Sequence, residues 1–162
     1  MTRFLLVSLF SAVMLPVFAA LDEQSEIEVV AELYRAYAWE AVIDEPQGGT
    51  SVVDASQEVL ERFFTTELAS LIVADRECTV ANQAMCALSF AILWNSQDPA
   101  ASWLTIRSGD ASGQVDVSYV YPGLDERIQL TYTLKRETSD WRISDIGYSD
   151  GYTLHGLLTG AY

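Results

Sequence analysis

The chain has 162 residues, half of them hydrophobic, with 23 acidic against 9 basic side chains and a formal charge of −14 at pH 7. A single domain of this length can bury a real core. So negative a surface repels nucleic acid and anionic lipid, which excludes them as partners, and it suits solubility or a basic partner.

The first residues, MTRFLLVSLFSAVMLPVFAA, place Arg3 before an apolar core that runs from Phe4 to Leu15 and ends at Pro16, followed by Val17, Phe18 and Ala19. This is the pattern of a secretory signal peptide cut after Ala19 or Ala20. The apolar run stops short of the ~20 residues that a membrane span needs, and no Cys follows the cut to carry a lipid. The expectation is a cleaved signal over residues 1–19, export to the periplasm or beyond, one domain over residues 20–162, and no stable membrane anchor.

Residues 22–43, DEQSEIEVVAELYRAYAWEAVI, predict a long helix. Acids crowd its first turns, and Ile27, Val30, Tyr34, Tyr37, Ala38 and Ala41 recur at three- and four-residue steps. Glu32 and Arg35 fall on the solvent face. The next stretch, DEPQGGTSVVDAS, reads as an exposed loop. One or two short helices follow, with Ser56 as an N-cap and Thr65 or Thr66 restarting the helix before Leu68, Leu71 and Ile72. The helical layer is expected to end near Cys78, with polar loop up to Cys86. In an oxidising compartment this close pair should form a disulfide. The apolar run ALSFAILW, residues 87–94, has no decisive period.

Beyond Pro99 the texture turns to β. WLTIRS, QVDVSYVY, RIQLTYTLKR and DWRISDIGY are separated by turn-forming GDASG, PGLDE and ETSD, which predicts a four-stranded antiparallel meander. Val115, Val117, Tyr119 and Tyr121 share one face by strict alternation, and Ile128, Leu130, Tyr132 and Leu134 share another. The closing SDGYTLHGLLTGAY reads as a turn with a short helix or edge. Helices first and sheet afterwards make an α+β fold, with the N-terminal helices packed in the concave face of a curved meander.

ELYRAYAWE, FFTTELASLI, the Cys78 and Cys86 pair, WNSQDP and WRISDIGYSDG, together with the export signal, resemble the exported bacterial family known as domain of unknown function 3828. The similarity covers most of the chain beyond the signal. That family resembles the nuclear transport factor 2 cone, the fold also used by ketosteroid isomerase and SnoaL-type cyclases. The resemblance implies a Gram-negative periplasmic protein whose curved sheet wraps a long helix and leaves a groove at its open end. It implies no activity, because the cone serves enzymes and binders alike. An acid just before the QD segment is common in the family, whereas here that region reads SFAILW.

Candidate site residues follow from local chemistry. Asp98 precedes Pro99 and reads first as a turn former. At the lip of the cone, Asn95, Gln97 and Asp98, with Trp103 and Tyr148, form the candidate binding set. In a regular strand Trp141, Ile143 and Asp145 would share a face, giving a desolvated carboxylate able to act as a base beside a tyrosine hydroxyl. A bulge with the acid bonded to backbone or to Arg142 is the favoured alternative. Tyr119, Tyr132 and Tyr148 are the candidate oxyanion donors, although strand tyrosines usually pack in cores. His155 has no acid and nucleophile pattern around it and reads as a surface or packing residue. No GxSxG, P-loop or HExxH occurs, and one histidine with one cysteine pair supplies too few ligands for a metal centre, so neither metal nor cofactor is expected. The function expected is a non-catalytic periplasmic binding or accessory protein that recognises a protein or envelope-associated ligand, basic in character, with an inhibitor or immunity factor as one version. The alternative is a small-molecule lyase or isomerase using Asp145 or Asp98 with Tyr132.

Overall fold

The computed structural model describes residues 25–42 and 50–161, with helices first and sheet afterwards. Helix α1 (Glu26–Tyr37) is capped by Ser25, whose hydroxyl accepts the Glu28 N–H at 3.3 Å, and Glu26 and Glu28 place negative charge where the macrodipole favours it. The helix is shorter than the 22–43 span read from the sequence. Past Tyr37 it tightens into a 3-10 turn, Ala38–Ala41, while residues 1–24, which include the segment read as a signal, and Ile43 lie outside the described residues. The buried stripe is Val29, Val30, Leu33, Tyr34 and Tyr37, with Ile27 and Ala38 half-buried at its margins.

A 3-10 turn at Val52–Asp54 and helix α2 (Gln57–Leu60), capped by Ser56, lead into α3 (Thr66–Asn82). Thr65 caps α3 by accepting the Leu68 N–H, and the Glu137 carboxylate accepts the Thr66 N–H from across the fold. An anion at a helix N-terminus stabilises the unpaired first-turn amides. The helix continues past Cys78 to Asn82, so half of the segment expected as loop between the cysteines is helical. Its polar residues simply face solvent while their backbone stays paired. Gln83, left-handed at φ 50°, turns the chain back, and the Cys78–Cys86 disulfide spans Cα atoms 6.1 Å apart. Asp75 then holds the returning chain through the Ala87 and Leu88 N–H groups at 2.6 and 3.3 Å.

The expected meander is present. Strands β1 (Ser102–Ser108), β2 (Gln114–Tyr121), β3 (Glu126–Glu137) and β4 (Asp140–Tyr148) pair antiparallel in chain order as a curved sheet. Val115, Val117 and Tyr119 stand opposite Tyr132, Leu130 and Ile128, so both alternating sets lie on one side of the sheet and build the core there. α1 packs against β1, β2 and β4. Gly113 sits at φ +77°, and a Cβ there would lie 2.7 Å from the Leu134 carbonyl oxygen, so only glycine fits this turn. The outer edge of β4 is covered by the chain at Phe63–Thr65: the Ile143 N–H donates to the Phe63 carbonyl and the Thr65 N–H to the Ile143 carbonyl, at 2.8 and 2.9 Å. That leaves no open ladder on that side at Ile143. Helix α4 (Leu154–Thr159), capped by Thr153, packs on β4.

Candidate functional site

Residues 87–94 form neither helix nor strand, yet Ile92, Leu93 and Trp94 are among the most buried side chains. Buried irregular backbone must find partners other than a ladder. Here tyrosines supply them: the hydroxyls of Tyr148, Tyr34 and Tyr119 donate to the carbonyls of Ile92, Leu93 and Trp94 respectively. Tyr132 stands 2.9 Å from the Tyr34 hydroxyl. Since Tyr34 spends its only proton on Leu93, Tyr132 is the donor in that contact. Edge-on stacking of Trp94 against Tyr34 and Tyr119 completes the cluster. Burial holds the Tyr34, Tyr119, Tyr132 and Tyr148 phenols above their ordinary values, so all four stay neutral donors at physiological pH.

This clamp positions one wall of a groove of about 850 Å³, whose other walls are the Ala38–Ala41 turn after α1, the Val52–Asp54 turn and the segment through Asp98 to Ala100. Three carboxylates line it, Glu40, Asp54 and Asp98, together with Trp39, Gln97 and Tyr121. Its described lining contains no Lys or Arg. Arg76 lies near but donates to the carbonyls of Val53 and Ala55 at 3.1 and 2.7 Å. Glu40 holds the groove wall: its Oε1 accepts the Val52 N–H at 2.8 Å and the Ser51 hydroxyl at 3.0 Å. Burial pushes its carboxyl above the ordinary glutamate value, and the charge of Asp54 adds to the shift, while the Val52, Ser51 and Trp94 contacts oppose it. The Trp94 indole is near enough to favour the charged carboxylate but falls outside hydrogen-bond geometry. Glu40 Oε2 and the indole N–H thus lack a formal partner among the described residues.

The residues singled out in the sequence do not converge on one place. Gln97 and Asp98 line the groove, and the Asp98 carbonyl accepts the Tyr121 hydroxyl at 3.0 Å, which fastens this turn. Asn95, left-handed at φ 45°, lies with Tyr148 in a neighbouring recess of about 260 Å³, with Gln97 bordering both. Trp103 is on β1, outside both, on a shallow surface that shares Tyr121 with the groove.

Asp145 does not share a face with Trp141 and Ile143. Between Thr133↔Asp145 and Leu134↔Ile143 the register shifts by one residue, so Ser144 is the extra residue of a bulge and Ile146 and Tyr148 take over the core side. Asp145 therefore sits on the opposite face from Tyr132, which pairs with Ile146. Its Oδ1 accepts the N–H groups of Ile146 and His155 at 2.8 and 2.9 Å, tying α4 to the sheet. Arg142 instead contacts Asp140 and the carbonyls of Glu61 and Trp141. His155 faces Glu67 at 3.5 Å on the surface between α4 and α3. The favoured reading, a bulge with the acid bonded to backbone, is thus the one that forms, and the alternative pairing of Asp145 with a tyrosine hydroxyl is not assembled.

Glu40 and Asp54 escaped the sequence reading. One signal for Glu40 existed: a carboxylate at the C-terminal end of a helix opposes the macrodipole, so it needs compensating partners. Nothing in the sequence marks Asp54. Among the described residues no group of three or more His, Cys, Asp or Glu side chains is placed to hold a metal ion, and no helix is long and apolar enough to cross a membrane. No protein-family model, curated protein or solved structure matches the chain.

Proposed function

We propose that this chain is an exported, periplasmic accessory protein of the nuclear transport factor 2-like cone type, related to the domain of unknown function 3828 family, which binds a basic protein or envelope component without transforming it. The observation that carries this reading is the groove: three carboxylates and no basic residue among its described lining, on a chain of formal charge −14. Such a surface draws positively charged partners by long-range attraction and repels acidic ones. The N-terminal signal pattern and the Cys78–Cys86 disulfide support an oxidising, exported setting. An inhibitor or immunity factor against a basic envelope-directed enzyme is a specific form of the role.

The lyase or isomerase alternative retains one favouring observation, the raised carboxyl of Glu40 beside the groove, and it would run through Glu40 in place of Asp145. The two readings separate in one comparison. The tagged chain and its Asp54→Asn/Asp98→Asn form are used for capture from envelope extract at low and raised salt, and both are assayed with small carbonyl substrates. Salt-sensitive capture by wild type, lost in the double variant, supports the binding role. Equal capture by both refutes it, and turnover abolished in Glu40→Gln would establish the enzyme instead.

A further inference from the structure

We propose that Trp103 is the anchor of this surface, its indole face receiving an arginine or lysine side chain from a basic protein segment that lies along the groove. The inference rests on the acidic-groove reading and names the partner's chemistry and the residue that grips it. Trp103 is 81% exposed, the most exposed large hydrophobic residue described. It lies on a bulge in the edge strand β1, where Trp103 and Leu104 together oppose the single residue Tyr119, and its backbone is left-handed at φ 56°. A bulge protects an edge strand from unwanted pairing, but glycine or asparagine would serve there at lower cost. Tryptophan adds strain and an apolar surface that nothing described covers.

What surrounds the indole indicates its occupant. Tyr121 borders both the Trp103 surface and the groove, so the two are continuous. Asp125 lines the same shallow surface, Leu124 beside it is 69% exposed, and Asp98 lies across Tyr121. The nearest cation on β3, Arg127, reaches the Ser118 hydroxyl at 3.3 Å on the polar side of the sheet. An exposed indole face attracts a cation through its quadrupole, while Asp125 on the same surface and the groove carboxylates beyond Tyr121 supply the counter-charge. A second copy of this chain would bring the same negative charge and is disfavoured.

The test is a titration of the full mature protein with an oligoarginine peptide at low salt, followed by calorimetry, for wild type, Trp103→Ala, Trp103→Leu, Trp103→Phe and Asp54→Asn/Asp98→Asn, with melting curves for each. Trp103→Ala and Trp103→Leu should weaken binding about tenfold, with Phe between them and wild type, at no loss of folding. Leu at wild-type affinity would mean that no cation–π contact exists and overturns the inference. If Trp103→Ala and Trp103→Leu bind as wild type while the double asparagine variant is weakened, the groove reading stands and the anchor falls. Absence of oligoarginine binding by the wild type overturns both.

Discussion

Replacing Tyr34 by Phe probes the polar cluster at the heart of the fold, and the proton order there makes its cost unequal to that of Tyr132→Phe. Tyr34 donates to the Leu93 carbonyl at 2.8 Å and accepts from Tyr132 at 2.9 Å, and Leu93 and Tyr132 are both 0% exposed. Tyr34→Phe therefore strands two buried groups, a carbonyl without its donor and a phenol without its acceptor. At ~1–3 kcal/mol for an unsatisfied buried group, partly relieved by relaxation, the loss should be about 2–4 kcal/mol. Tyr132→Phe strands none, because Tyr34 keeps its bond to Leu93, and should cost about 1 kcal/mol. The double variant should cost less than Tyr34→Phe alone, since it removes the stranded phenol. For a chain of this size these figures correspond to Tm losses of roughly 4–16 °C and 2–4 °C. Urea unfolding with an unchanged slope reports the difference directly. Tyr132→Phe costing as much as Tyr34→Phe would refute the proton order.

Trp103→Gly should raise stability by ~1 kcal/mol, since glycine accepts the left-handed backbone that tryptophan resists, and a lower Tm for this variant would show that the exposed indole packs on something. Replacing Cys78 and Cys86 by serine should cost about 2.5 kcal/mol for the short loop they close; two titratable thiols in oxidised, denatured wild type would remove the bond altogether. Glu40 sets a pH dependence whose sign follows from its raised carboxyl: the folded chain holds that proton more tightly than the unfolded one. Its contribution is full below the ordinary glutamate value of 4.5 and is lost as pH rises through the higher folded value. The Tm advantage of wild type over Glu40→Gln should thus shrink as pH rises across that window, and an advantage that grows would mean that the carboxyl is not desolvated.

The strands were legible because alternation is a local property: Val115 to Tyr121 and Ile128 to Leu134 carry the period of two whatever surrounds them, and the turn between these two is written in proline and glycine. The caps Ser56 and Thr65 were equally local, each resting on a side chain within three residues of the amide it accepts. The candidate site was less legible. Asp98 and Gln97 could be picked out beside a proline, but Asp54, far along the chain from them, gave no sign that it would share a groove with them.

From sequence alone came the order of helices and strands, the acidic surface and the cysteine pair, all of which depend on composition or on residues within a few positions of one another. Tertiary structure decided the rest, including which of the readings open for Asp145 holds. A one-residue register shift at Ser144 moved Asp145 away from the core, and buried carbonyls at residues 92–94 claimed the hydroxyls of Tyr34, Tyr119 and Tyr148. The bulge joins neighbouring strands of one hairpin and was legible as an alternative, whereas which donor reaches an unpaired carbonyl has no local signal, because it depends on how segments separated by 25 to 59 residues pack together.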